Sequence, residues 1–204
     1  MAASWQPHDA IDGVKLWTRS NSDGLLSVKA QCQVVTRLSA FVTLMNDVAA
    51  MRKLIAYSDG VFVLARPSAT TTIVKSRFNL PWPARNRDSV TRSVWQQGPG
   101  YQLSLTLTDV GAQYPLTPGY LRMQHVQGQW LLTPLGGGLT QIEYQGTASP
   151  GGWLPTWLVN RMSVRATAIT LNNICQALKN RRYQDSQYSF VKEPPATRTS
   201  SERR

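Results

Sequence analysis

Apolar and polar residues alternate through the middle of the chain with the period of two that is typical of β-strands. The alternation is clearest in residues 101–109, where Leu103, Leu105 and Leu107 share one face and polar residues occupy the other. Further β-like segments lie in residues 61–65, 70–78, 89–97, 120–132 and 139–147. Turns rich in Pro, Gly and Ser separate them. The pattern predicts six consecutive strands of an antiparallel sheet with one dry face.

The residues before this sheet predict a hairpin and two short helices. Residues 14–19 and 25–35 are rich in β-formers and flank the turn sequence Asn21-Ser22-Asp23-Gly24. From Ser39, which suits a helix N-cap, apolar residues follow a helical period that breaks near Asn46-Asp47.

The longest helical pattern spans residues 155–179, which corresponds to about 37 Å of helix. Pro155 suits the first turn, and Arg161 and Arg165 begin a polar stripe. The apolar stripe contains Trp157, Val164, Ala168, Leu171, Cys175 and Leu178. Because the dry face of the sheet needs a cover, we expect this helix to lie on it.

Composition excludes several classes of protein. Of the 204 residues, 42% are hydrophobic and 16% are charged, which indicates a globular domain rather than a disordered chain. Apolar runs are far shorter than the ~20 residues of a membrane-spanning helix. The net charge of +11 admits anionic partners, although dispersed charge also simply confers solubility. The basic residues are scattered rather than clustered with aromatics, so no nucleic-acid partner is expected.

Few residues are available for metal or cofactor chemistry. The two cysteines, Cys32 and Cys175, cannot build a disulfide framework, and two histidines with eleven acids make a metal site hard to assemble. No metal or cofactor is expected. Residues 1–7 lack the basic and apolar regions of a secretion signal, which leaves the compartment open between the cytoplasm and export of a trimmed chain.

Four segments carry a more specific signal. They are residues 11–19, Pro81-Trp82-Pro83-Ala84-Arg85-Asn86-Arg87-Asp88, the pair Tyr120-Leu121-Arg122 and Gly128-Gln129-Trp130, and residues 150–160. In this order they resemble bacterial members of the START family, the steroidogenic acute regulatory protein related lipid transfer domains. The resemblance implies an α+β helix-grip fold, in which a curved antiparallel sheet wraps around a long C-terminal helix.

The resemblance covers about residues 5–183. We therefore expect residues 1–183 to form a single START-like domain and residues 184–204 to form a flexible basic tail. Within that tail, only Tyr188, Phe190 and Val191 are apolar enough to dock on the domain.

The resemblance implies a carrier without enzymatic activity, which encloses one lipid, sterol or isoprenoid and transfers it between membranes. Transient contact with an anionic membrane surface fits the basic charge. The alternative is a cyclase or aromatase-like enzyme acting in the same cavity, although the sequence contains no nucleophile elbow, zinc-protease motif or phosphate-binding loop. Nothing requires more than a monomer.

Two candidate site residues, Trp82 and Arg92, lie before and within the strand predicted at residues 89–97. Trp82 stands between two prolines as a candidate gate residue, and its alternative role is packing at the edge of the core. Arg92 matches a buried arginine of family members, but the preceding strand has no acid to pair with it. It would then need Glu143 or an anionic ligand, or would be exposed. Arg87 and Asp88 are expected to anchor the loop, with ligand sensing as the alternative.

The remaining candidates line the walls of the expected tunnel. From the sheet come Leu103, Leu105, Leu107, Met123 and His125, and from the last helix come Trp157, Met162 and Arg165. Each has a purely structural alternative. The methionines can be ordinary gap-fillers, His125 a satisfied structural group, and Arg165 a side chain that snorkels at the cavity edge.

Overall fold

One curved antiparallel sheet and the long helix packed on it dominate the computed structural model, which describes residues 4–195. The strands are β1 (Gln6–Ile11), β2 (Val14–Ser20), β3 (Leu26–Val35), β4 (Ser58–Ser68), β5 (Thr71–Phe78), β6 (Arg87–Gln97), β7 (Leu103–Asp109), β8 (Leu121–Arg122), β9 (Gln124–Gly136) and β10 (Leu139–Ser149). The α-helices are α1 (Leu38–Asn46), α2 (Val48–Leu54) and α3 (Thr156–Ala177).

The strand order is β1-β2-β3-β10-β9-β7-β6-β5-β4, so the predicted meander is continuous with the N-terminal hairpin. Every pair is antiparallel except the short β8, which runs parallel to β6. Helix α3 packs against β1, β2 and β3, and α2 packs beside β4. This arrangement confirms the predicted α+β helix-grip fold.

The core lies between α3 and the hairpin side of the sheet. Ala168, Leu171 and Ile174 of α3 are fully buried against strand residues such as Ala30 and Ile142, which are also fully buried. Burial of each large aliphatic side chain contributes about 1.5–3 kcal/mol. The apolar stripe predicted for the last helix is therefore the face that holds it on the sheet.

Helices α1 and α2 meet at Asp47, which confirms the break predicted from the periodicity. The Asp47 carboxylate accepts a hydrogen bond from Ala50 N at 2.9 Å and so caps the start of α2. The same carboxylate accepts hydrogen bonds from Arg182 and Tyr183 at 3.0 and 3.1 Å. One side chain thus fixes both the helix junction and the segment after α3.

The prediction that Ser39 caps α1 is wrong, because the helix begins at Leu38 and takes its cap from elsewhere. The Glu193 carboxylate accepts hydrogen bonds from Leu38 N at 3.0 Å and from Ser39 N at 2.8 Å. Ser39 Oγ also donates to it at 2.7 Å. A carboxylate at a helix N-terminus satisfies free N–H groups and is attracted by the helix dipole.

This cap corrects the predicted flexible tail for residues 184–195, which pack on the domain. Phe190 packs on Trp95 with 6.4 Å between ring centroids, and Gln97 Oε1 accepts a hydrogen bond from Lys192 N at 2.7 Å. Tyr188 and Val191 pack against the core as well. The rest of the predicted tail, residues 196–204, lies outside the described residues.

Two strand predictions differ from the structure. Strand β1 was not predicted, because this edge strand is mostly exposed and has no alternating apolar signal. The single strand predicted over residues 120–132 is divided at Met123, between β8 and β9. His125 follows with a φ of 53°, in the left-handed region, which breaks the alternation of faces.

Asp88 fastens the loop before β9 to the outer face of β6. Its fully buried carboxylate accepts hydrogen bonds from Arg122 Nε at 2.8 Å, Arg122 Nη2 at 3.0 Å and Thr117 Oγ1 at 2.6 Å. Burial alone would raise the pKa of Asp88, but these hydrogen bonds and the charges of Arg122 and Lys75 lower it below its usual value. The ionised carboxylate is therefore stabilised in the folded state.

We expect Asp88→Asn to lower the free energy of unfolding at pH 7 by about 3–5 kcal/mol, because it leaves the Arg122 guanidinium buried without its counter-charge. A depressed folded-state pKa stabilises the protein above the unfolded value, near 3.9, and that stabilisation is lost as the pH falls through the folded value. Urea denaturation should therefore show the difference between variant and wild type shrinking below about pH 4. The exposed Asp9→Asn is the control, and an equal effect of both variants would contradict the assignment.

A disulfide between Cys32 on β3 and Cys175 on α3 joins the sheet to the helix across 143 residues of sequence. The two cysteines of the sequence predict no disulfide framework and do not indicate this single bridge. Two cysteines so far apart along the chain carry no local signal of their proximity.

Replacing both cysteines, Cys32→Ser with Cys175→Ser, should lower the free energy of unfolding by about 2–5 kcal/mol, because the bridge restricts a long loop of the unfolded chain. Urea denaturation with and without a reducing agent measures this. The reducing agent should shift the midpoint of the wild type and leave the double variant unchanged. An unshifted wild-type midpoint would show that the bridge does not stabilise the fold.

Candidate functional site

A cavity of about 390 Å³ lies between the concave face of the sheet and helices α2 and α3. Cavities that bind small molecules have volumes of this order. The sheet supplies one wall through inward residues of β4 to β7, β9 and β10, and the helices supply the other.

Much of the lining is apolar. It includes Val61 and Val63 on β4, Leu105 and Leu107 on β7, Met51 on α2, Ile55 just after it, and Met162 and Ala166 on α3. Such side chains offer van der Waals contact and no directional bonds, so they suit a hydrophobic guest.

An aromatic cluster closes one end of the cavity. Trp130 packs on Tyr144, its cross-strand partner, with 4.6 Å between ring centroids, and on the fully buried Phe41 at 5.5 Å. Phe41 in turn meets Trp95 edge to face at 6.1 Å. Trp95, Trp130 and Tyr144 line the cavity directly.

The Tyr144 ring lies over two glycines of the sheet, Gly128 and Gly146, which pair across β9 and β10. A Cβ at Gly146 would lie 2.8 Å from the ring carbon that bears the phenol oxygen, so glycine is needed there for the ring to fit. Burial raises the pKa of Tyr144 to about 12. Its phenol is therefore a neutral hydrogen-bond donor over the physiological pH range.

Hydroxyl side chains run down the central part of the sheet wall. They are Thr72 and Ser76 on β5 and Ser89, Thr91 and Ser93 on β6, and we call them the hydroxyl stripe. Thr72 pairs with Ser93 and Ser76 with Ser89 across the two strands. All five therefore face the same way, into the cavity.

Arg87 connects the segments that surround the cavity mouth. It is 2% exposed, and its guanidinium donates to Pro150 O at 2.8 Å, to Gly151 O at 3.3 Å and to Arg85 O. Burial, and then the neighbouring charge of Arg85, lower the pKa of Arg87. Its contacts are backbone carbonyls, so Arg87 anchors the loop before β6 to the loop before α3.

Three exposed tryptophans flank the mouth, and we call them the tryptophan collar: Trp82, Trp153 and Trp157. Their side chains are 93%, 88% and 66% exposed. Leu80, Leu154 and Val159, within two residues of each, line the cavity. The collar therefore joins the cavity lining to the protein surface.

Four of the ten predicted site residues line the cavity, namely Leu105, Leu107, Met123 and Met162. Leu103 shares their face but is fully buried in the core beyond the closed end. Trp82 stands at the mouth and is not packed against the core edge.

Trp157 does not belong to the buried stripe of α3. Asn160 already meets the β2–β3 turn, where its side chain donates to Gly24 O at 3.1 Å and accepts from Leu26 N at 3.0 Å. Trp157 precedes it by nearly one helical turn and lies past the end of the hairpin, so it faces solvent.

The three predicted polar site residues, Arg92, His125 and Arg165, are exposed. Arg92 faces away because its neighbours Thr91 and Ser93 face the cavity, and Glu143 lies on β10, beyond β7 and β9. His125 leaves the inner face at the break in strand alternation. Arg165 lies on the side of α3 turned from the cavity, in a groove beside β1.

The hydroxyl stripe, Tyr144 and the rest of the aromatic cluster were not among the predicted site residues. The spacing of Ser89, Thr91 and Ser93 does place their side chains on one face of a strand. No local pattern in the sequence indicates that this face of the strand is the inner one. The Arg87 anchor agrees with the structural role expected for Arg87 and Asp88, which here point to opposite faces of β6 and bond different segments.

Within residues 4–195, no three His, Cys, Asp or Glu side chains converge in a way that would hold a metal ion. The same residues include no helix with the length and apolar character needed to cross a bilayer.

Similarity to known proteins agrees with this architecture. An uncharacterised protein of Pseudomonas aeruginosa is 25% identical over 182 residues, 89% of this chain and 90% of that protein. The crystal structure of the STAR-related lipid transfer protein of Xanthomonas axonopodis has a TM-score of 0.78 at 25% identity, covering 86% of this chain and 99% of that one.

Two other solved structures share the fold. Human STARD10 has a TM-score of 0.76 at 20% identity, and the match covers 87% of this chain and 74% of the STARD10 chain. The Zhui aromatase/cyclase of Streptomyces sp. R1128 has a TM-score of 0.53 at 14% identity, and the match covers 76% of this chain and 94% of that chain.

The family model described as START domain matches residues 28–183, which include most of β3, every later strand and all of α3. Since this match covers most of the chain and agrees with the fold, the chain belongs to the START domain family.

Proposed function

We propose that this protein is a carrier that binds one hydrophobic molecule in its cavity without altering it chemically and exchanges it at a membrane surface. The observation that carries the proposal is the apolar cavity between sheet and helices, open beside the tryptophan collar. Membership in the START domain family and the lipid transfer proteins of the same fold support binding of a hydrophobic ligand.

The free energy available from such a cavity is sufficient for stable binding. Removing roughly 300 Å² of apolar ligand surface from water contributes about 7 kcal/mol at 25 cal/mol per Å². Part of this is lost to the reduced freedom of the bound ligand. A guest that fills most of the cavity is thus retained, while one that touches only the mouth exchanges freely.

The character of the lining supports a carrier over an enzyme. Within the described chain, the residues that line the cavity include no His, Cys, Asp or Glu, so its Ser and Thr hydroxyls have no basic side chain of the usual kind on the lining to activate them as nucleophiles. Tyr144, with its raised pKa, and Arg87, held by carbonyls, are suited to hydrogen bonding rather than to proton transfer. This lining supports the carrier more than the cyclase alternative.

The mouth has the composition of a membrane-contacting surface. Indole side chains favour the interface between water and the hydrocarbon of a bilayer. Arg85 and Arg161, both exposed, lie on the same segments as the collar and would face anionic headgroups. Contact of this kind would let a hydrophobic guest pass between cavity and bilayer without crossing water.

We expect Met162→Arg to reduce the amount of co-purifying hydrophobic molecule at least tenfold, because a guanidinium in the apolar cavity must be solvated and so excludes the guest. Extraction with organic solvent and mass spectrometry measure the guest per mole of protein. Met123→Arg should act in the same direction.

The control is Gln176→Arg, which places the same charge on an exposed position of α3. It should retain the guest, and circular dichroism should show that all variants fold. Retention by Met162→Arg equal to that of the control would remove Met162 from the binding site.

Replacing two collar residues together, Trp82→Ala with Trp153→Ala, should weaken binding to vesicles about tenfold, because both indoles leave the interface. Flotation with vesicles of phosphatidylcholine and phosphatidylglycerol measures this. Binding should also fall as salt rises, since attraction to anionic headgroups is screened.

Tyr101→Ala is the matched control, because Tyr101 is 39% exposed at the opposite end of the sheet. It should bind vesicles as the wild type does. Unchanged flotation of the double tryptophan variant would argue against membrane contact through the mouth while leaving ligand retention untouched.

A further inference from the structure

The five hydroxyls of the hydroxyl stripe have no hydrogen-bond partner among the described residues. Ser89, Thr91 and Ser93 are 5%, 8% and 8% exposed and Thr72 and Ser76 are half-buried, so the stripe faces the cavity rather than the outer surface. Ser89 and Ser93 face the hydroxyls of Ser76 and Thr72 on β5, yet no hydrogen bond joins either pair, and Thr91 faces Val74. The buried side-chain polar atoms without a partner among the described residues are Ser58 Oγ and Arg77 Nε, so the oxygens of the stripe border the open volume of the cavity. A guest that displaces water from this volume must supply hydrogen bonds itself, because it otherwise leaves the hydroxyls unpaired.

Strand hydroxyls differ in this respect from those on the helix wall. Ser163 and Thr167 of α3 also line the cavity, but a helical hydroxyl can turn to the carbonyl four residues earlier. On β6 the neighbouring carbonyls already belong to the ladders with β5 and β7. The stripe is therefore the part of the wall that needs an external partner.

The stripe extends along the cavity instead of marking one end. Ser89 and Ser93 are four residues apart on an extended strand, which separates them by about 13 Å. A fatty acid or a simple sterol carries its oxygen at one end and would present bare hydrocarbon to most of the stripe. Filling the cavity with such a molecule would strip water from the hydroxyls and replace it with nothing.

The charged residues of the same wall do not favour a charged guest. Arg87, next to the stripe on β6, is occupied by three backbone carbonyls. Arg66, the other charged residue at the cavity, is exposed and donates to Asn46 Oδ1 at 3.2 Å. The stripe thus offers neutral donors and acceptors, facing the apolar side chains of α2 and α3.

We propose that the guest is an uncharged, multiply oxygenated hydrophobic molecule, of the kind represented by polyketides and polyhydroxylated ring systems, which lies with its oxygen-bearing edge on the hydroxyl stripe. Tyr144 adds a neutral donor near the closed end. This inference rests on the proposed carrier function and narrows it from any lipid to one class.

The test compares two rigid ligands of one shape, flavone and apigenin, which is flavone with three added hydroxyls. Equilibrium dialysis measures the affinity of the purified full-length protein for each. We expect the wild type to bind apigenin at least tenfold more tightly, the effect of one or two additional buried hydrogen bonds. A site built to bond oxygen discriminates against the analogue that lacks it.

The variant S89A/T91V/S93A removes three hydroxyls and keeps the volume of the wall nearly unchanged. It should lose most of the preference by weakening apigenin binding, with flavone binding unchanged or tighter. S104A/T106V, which alters the outward face of β7, is the matched control and should keep the preference. Circular dichroism checks folding, and the shape-conserving Thr91→Val alone should already reduce the preference.

Equal affinity for the two flavones in the wild type, or a preference that survives in the triple variant, would overturn the inference and leave the carrier proposal standing. If neither flavone binds, the co-purifying molecule identified by mass spectrometry decides. Oxygens spread along its length support the inference, and oxygens at one end only overturn it. If no molecule binds or co-purifies, the carrier proposal fails together with it.

Discussion

Helix α3 covers only part of the concave sheet, and the cavity is the space that this incomplete cover leaves. The buried stripe of the helix meets β1, β2 and β3, where a disulfide and the core residues hold it. The inner faces of β4 to β7 curve past it and are closed by the aromatic cluster and by α2 instead. Close packing is therefore confined to one half of the sheet, and the other half borders the cavity.

The buried polar groups around the cavity differ in where they find their hydrogen-bond partners. Arg87 and Asp88 are adjacent in sequence and both buried, but the strand turns one toward the mouth and the other toward the outer loop. Each finds its partners in protein: backbone carbonyls for the first, Arg122 and Thr117 for the second. The hydroxyl stripe, by contrast, lines the cavity without side-chain partners among the described residues, and in our proposal these hydroxyls bind the guest.

Much of the fold could be predicted because it follows from local periodicity. The six strands, the break near Asp47 and the long last helix are visible in the sequence, as is the shared face of Leu103, Leu105 and Leu107. The candidate site was predicted less well. The apolar candidates Leu105, Leu107, Met123 and Met162 line the cavity. The polar candidates Arg92, His125 and Arg165 lie outside it.

The sequence by itself determined most of the elements, their order, the family and which side chains share a face, because all of these depend on spacing along the chain. Only the tertiary structure decided which face of β6 looks inward, that Glu193 caps α1, and that Trp157 ends beyond the hairpin. Periodicity relates a residue to its neighbours two to four positions away. Whether a face meets solvent, core or cavity depends on segments more than a hundred residues distant, and the curvature of the assembled sheet sets that arrangement.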